Sequence, residues 1–114
     1  MTIERFGVGA RMSRAVAHAN TVYVAGQVAD NPNDDVAGQT RQVLAKVEVA
    51  LAEAGTDKSK LLTATVYITD MAHKPEMDAA WRAWVDPANP PQRACVAVTL
   101  EGRDLVEIVV TAAA

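Results

Sequence analysis

One arginine, one cysteine and one glutamate near the C-terminal end are the residues of this chain best suited to chemistry. Arg93 heads an apolar run, Cys95 follows two residues later, and Glu107 is the single carboxylate of a second apolar run after Gly102. A guanidinium inside such a run is costly to desolvate unless an anion meets it. Its rigid fork of donors suits a carboxylate or phosphate held bidentately. Two readings of Arg93 follow: it marks a solvated strand start and pairs with an acidic neighbour, or it captures an anionic ligand. Spacing alone supports both. Glu107 could hold or deprotonate a water. The Cys95 thiol is read as a small apolar filler, since no neighbouring histidine implies an activated thiolate.

Other candidates are weaker. Gly26, inside the apolar segment 21–29, predicts a bulge or a close approach of ligand or backbone. Residues Asp30 to Asp35 form an acidic turn without the glycine hinge and spaced glutamate of a calcium loop. It is read as a solvated loop whose aspartates favour the N-terminal end of the next helix. His18 and His73 lack metal-ligand spacing, Ser13 has no evident base, and no phosphate-binding or dinucleotide fingerprint occurs. Neither a metal nor a cofactor is expected.

These residues must be positioned by a modest scaffold. The chain has 114 residues, half of them apolar and 22% charged, which predicts one soluble globular domain over residues 1–114. A net charge of −3 and a pI near 5.2 offer no basic stripe for a nucleic-acid backbone. No apolar run reaches the ~20 residues needed to cross a bilayer, and the charged N-terminal segment does not read as a signal peptide. A lone cysteine cannot form an internal disulfide, so a reducing cytoplasm is the expected compartment.

Periodicity then supplies the elements. Residues 2–6 suggest an edge strand, and 13–17 and 21–29 a hairpin through His18-Ala19-Asn20, with asparagine tolerating the turn conformation. Thr40, Val43, Leu44, Val47, Leu51 and Ala54 recur at helical spacing over 36–54, with Gly55 as the stop. Residues 61–69 read as an interior strand. A second helix begins near Pro75 and carries Met77, Ala80, Trp81 and Trp84 on a core-facing stripe. Alternation in the last two strands places Arg93, Cys95, Ala97 and Thr99 on one face, together with Glu107 and Thr111. The predicted fold is α+β, a mixed sheet of about six strands with both helices on one face. The other face, small and weakly polar, is predicted to be covered by oligomerisation.

The segments PPQRACVAV (90–98) and LVEIVVTA (105–112) resemble the C-terminal signature of the RidA/YjgF family, the enamine/imine deaminases. YVAGQ (23–27), the 40–55 helix and the 61–70 strand resemble further parts of that family. The resemblance implies a chorismate-mutase-like homotrimer with sheets facing inward, binding a small imino acid or carboxylate, with no cofactor. It implies Arg93 as carboxylate anchor, with Glu107 and Cys95 as the matching catalytic positions; backbone near Cys95 could bond the substrate nitrogen or water. Met12 and Ala25 stand where the family carries a tyrosine and a serine beside Gly26, so the implied pocket is more apolar. Asp78, at a position resembling a family asparagine, would repel an anionic ligand, pair with Arg93, or serve as a helix-surface charge.

If the last two strands form a hairpin turning at 101–105, Glu107 lies beside Thr99, and Arg93 is roughly 20 Å away along the strand. Either the register is tighter, or one site takes Arg93 and Glu107 from different chains.

Overall fold

The computed structural model describes residues 2–114; Met1 lies outside the described residues. The elements in chain order are β1 (Ile3–Phe6), β2 (Ala15–His18), β3 (Thr21–Val28), α1 (Val36–Glu53), β4 (Leu61–Ile68), α2 (Lys74–Trp84), β5 (Gln92–Ala97) and β6 (Val106–Ala113). They build one six-stranded mixed sheet in the order β1-β2-β3-β6-β4-β5. Every pairing is antiparallel except β4 with β5.

Both helices cover one face. α1 starts where Asp35 accepts from the Gly38 N–H and ends before Gly55, whose φ of +82° suits a residue without Cβ. Its stripe buries Val43, Leu44, Val47 and Leu51 against Val22, Val24, Ile108 and Val110 of the sheet. α2, opened by a proline in its first turn, adds Met77 and Trp81. The helical spacing therefore predicts the buried face correctly. One buried residue escapes it: Gln39, on the same helix, is fully buried. Its amide donates to the carbonyls of Pro32, Asp34 and Arg103 and accepts from the Leu105 N–H. It thereby ties the turn before α1 to the loop that leads into β6.

The β2–β3 hairpin is present, but the positive φ falls on Ala19 (56°) rather than on Asn20. The expected hairpin of the last two strands is not. β4 lies between β5 and β6. The chain runs from β4 through α2 and back to a strand parallel to β4, as a helical crossover requires. The loop 98–105 then carries it across to the other edge of β4, where β6 also pairs with β3.

That topology also corrects the face assignment. Arg93, Cys95 and Ala97 stand opposite Ala64, Val66 and Ile68, all buried beneath the helices. Glu107 stands opposite Tyr67 and Val28, on the uncovered face with Tyr23, Val109 and Thr111. Arg93 and Glu107 thus occupy opposite faces of the sheet. The apolar rule failed because β5 is an edge strand. Its Val96, apolar as a core residue would be, is 39% exposed on the helix-free side. No helix among the described residues is long and apolar enough to cross a membrane.

Candidate functional site

Arg93 projects from β5 toward the side of α2. Its Nη2 donates to Asp78 Oδ1 at 2.7 Å, and Nη1 lies 3.7 Å from the Met77 sulfur. Its guanidinium carbon stands 5.4 Å from the centroid of the Trp81 ring, within cation–π range. Asp78 is shared: Lys74, one helical turn earlier, donates to Oδ2 at 2.8 Å. Burial pushes the Asp78 carboxyl up, but hydrogen bonds and charge from Lys74 and Arg93 outweigh it and hold it below its ordinary value. The carboxylate is therefore ionised at neutral pH, and the pairing reading of Arg93 is realised within the chain. Both side chains keep about a fifth to a quarter of their surface in solvent (21% and 25%), so the guanidinium is cradled but reachable.

Cys95, two residues on, is half-buried and packs against the core on the same face. Among the described residues no group of three or more histidine, cysteine or carboxylate side chains comes together.

Glu107 is held by different means. The register between β3 and β6 shifts between Val24 and Gln27, a bulge centred on Ala25 and Gly26. The space over Gly26 is filled by the Glu107 carboxylate, so a Cβ there would collide with it. The bulge itself is braced by the Ala25 N–H donating to the Arg14 carbonyl at 2.8 Å and by the Gln27 amide donating to the Ala25 carbonyl at 2.9 Å. Ala25, Gly26 and Glu107 are thus brought together, as the glycine inside that strand suggested. Met12 lies on the β1–β2 loop and is 58% exposed, with its carbonyl accepting from the Gly9 N–H.

The two clusters do not share a pocket within one chain. Glu107 is aligned with Tyr67 and Val96, three residues beyond Arg93 and two strands across. That separation is roughly 14 Å between Cα atoms, and the side chains leave the sheet in opposite directions. A cleft of about 320 Å³ lies elsewhere, between α1 and α2, lined by Leu44, Lys58, Ala80 and Trp84 among others. The residues cradling Arg93 were only partly foreseen. The Asp78 pairing was one of three alternatives, whereas Lys74, Met77 and Trp81 were not assigned to it. The i, i+4 spacing of Lys74 and Asp78 was the available signal.

The chain is similar to known proteins over nearly its whole length. The family described as endoribonuclease L-PSP matches residues 2–114. A RutC family protein of Haemophilus ducreyi is 43% identical, with 97% of this chain and 96% of that protein covered. Among solved structures, a YjgF-family member from Neisseria meningitidis superposes with a TM-score of 0.96 at 39% identity, over 99% of this chain and 95% of that one. A Rid-family protein of unknown function from Yersinia pestis gives 0.88 at 30% identity, over 94% and 90%.

Proposed function

The chain belongs to the endoribonuclease L-PSP (YjgF/RutC) family, and on that premise we propose that it is a cofactor-free deaminase of reactive 2-imino or enamine acids, working between subunits of a homotrimer. The observation that carries the reading is the placement of the two clusters. Arg93 sits at the exposed β5 edge and Glu107 on the helix-free face at the β3–β6 bulge. A neighbouring copy whose edge meets this face would set one chain's Arg93 beside another's Glu107. The half-exposed Tyr23 and the exposed Val96 on that face gain cover from the same contact.

In such a pocket Arg93 holds the substrate carboxylate and so orients the C=N bond. Glu107 places a water against the imine carbon and accepts its proton. The water oxygen bonds to carbon as the C=N π pair goes to nitrogen, which takes the proton back from Glu107. The carbinolamine hydroxyl then passes its proton through Glu107 to the amine, the C–N bond breaks, and ammonia leaves the keto acid. In this reading backbone groups near Cys95 hydrogen-bond the substrate nitrogen or the water. Met12 and Ala25 make the wall apolar. A reducing cytoplasm, where a free thiol persists, is the expected compartment.

A second reading is a non-catalytic trimer that binds carboxylate metabolites. It is favoured by the ion pair that already engages Arg93 and by the absence of hydroxyls at Met12 and Ala25. An RNA-cleaving role is disfavoured by the net charge of −3. The decisive experiment follows keto-acid release from a 2-imino acid generated in situ by an amino-acid oxidase. Acceleration by the protein that is lost in Arg93→Ala is the expected result. No acceleration with small, branched or basic imino acids transfers the assignment to the binder.

A further inference from the structure

The charges around Arg93 are unequal, and the inequality bears on which ligand the site accepts. Arg93 and Lys74 are two cations bound to the two oxygens of a single carboxylate, Asp78. One net positive charge remains. The other acidic side chain on this part of α2, Glu76, lies by His73 rather than by this cluster. Resting on the carboxylate-anchor reading above, we infer that Asp78 is a specificity-determining residue. It matches the site to substrates with one carboxylate and a neutral or cationic side chain, and rejects dicarboxylic ones.

The argument is electrostatic and geometric. Asp78 takes a donor on Nη2 and the Met77 sulfur one on Nη1, which leaves Nε and the second protons of Nη1 and Nη2. A single incoming carboxylate can use those donors and brings the Arg93–Asp78–Lys74 cluster to neutrality, while the Glu107 that a neighbouring copy would bring adds to the repulsion of a second carboxylate. A second carboxylate finds both Arg93 and Lys74 already engaged and is repelled by the ionised Asp78 between them. Lys74 anchors Asp78 to its own helix turn, so the carboxylate cannot readily swing away to make room. Like charges at that range in a partly exposed setting disfavour binding by roughly tenfold. A cationic side chain meets the reverse field. Asp78 touches Arg93 rather than the reacting atoms, so it acts on substrate choice and not on the bond-making step.

The test is an equilibrium one. Calorimetric titration compares 2-oxobutyrate, a monoanion, with 2-oxoglutarate, a dianion, on the intact protein and on Asp78→Asn, Lys74→Gln and Arg93→Ala. The wild-type protein is expected to prefer the monoanion by roughly tenfold. Asp78→Asn, which leaves Arg93 and Lys74 without their partner in the same chain, should reduce that ratio several-fold and tighten both ligands. Lys74→Gln should weaken both. A merely structural role would lower the thermal midpoint without moving the ratio between ligands. A ratio that Asp78→Asn leaves unchanged, while Arg93→Ala abolishes binding, overturns this inference and leaves the anchor reading standing. Binding indifferent to Arg93→Ala overturns the anchor reading itself.

Discussion

The β5 edge and the β3–β6 centre position their functional side chains by opposite means. At the edge, Arg93 is a long arm placed by other side chains: an aspartate, a thioether and an indole, all from α2. At the centre, Glu107 is placed by backbone, through a strand bulge and the missing Cβ of Gly26. The first arrangement can be retuned by changing one charge. The second is set by strand register and changes only when the backbone or its clearance changes. An edge strand has one hydrogen-bonded neighbour and room for a mobile side chain, whereas a strand between two others is held on both sides.

The sharpest way to break this contrast is Gly26→Ala. The new methyl would displace the Glu107 carboxylate, and on its proposed role in activating water a shift near an ångström should lower kcat of the proposed deamination by about a hundredfold. The stability cost should stay near 1 kcal/mol or less, because Glu107 can change rotamer. Parallel turnover and thermal-melt measurements check this. A large loss of stability with unchanged kcat would mean that the bulge serves folding rather than Glu107.

A smaller effect is expected at Ala19, which holds a positive φ of 56° in the β2–β3 turn. Ala19→Gly should raise stability by about 1 kcal/mol by relieving the positive φ and leave kcat unaltered. If turnover moved with it, the hairpin as well as the bulge would be placing Glu107.

The smallest effect belongs to the edge. The Asp78 carboxyl lies below its ordinary value in the folded state. The stability it contributes is present above its unfolded pKa of about 3.9 and is lost as pH falls through the lower folded pKa. Asp78→Asn should therefore melt below wild type at neutral pH, and the gap should close as the solution is acidified below about pH 4. High salt should narrow the gap at neutral pH, since the pair is partly exposed.

Much of this was legible in the chain. The α1 stripe of Val43, Leu44, Val47 and Leu51, the Gly55 stop, the interior position of β4 and the bulge at Gly26 all followed from local rules. Gln39 did not. A glutamine beside apolar residues carries no sign that four backbone groups will converge on it, two of them 64 and 66 residues away. The face of β5 was also misread. Its two sides, Arg-Cys-Ala and Ala-Val, differ too little in polarity to declare which one a helix covers, and the exposed Val96 was the more apolar signal.

By itself the sequence determined the element types, their order, the buried stripes of both helices and the residues able to do chemistry. These depend on periodicity and turn preferences, which act within a few residues. Only the tertiary structure decided that β4 separates β5 from β6, that Arg93 and Glu107 leave opposite faces, and that Asp78 and Lys74 meet at Arg93. The backbone groups that pair strands are the same in nearly every residue, so a strand does not name its neighbour. That choice is made by the α2 crossover and by the burial of whole faces, to which every element contributes together.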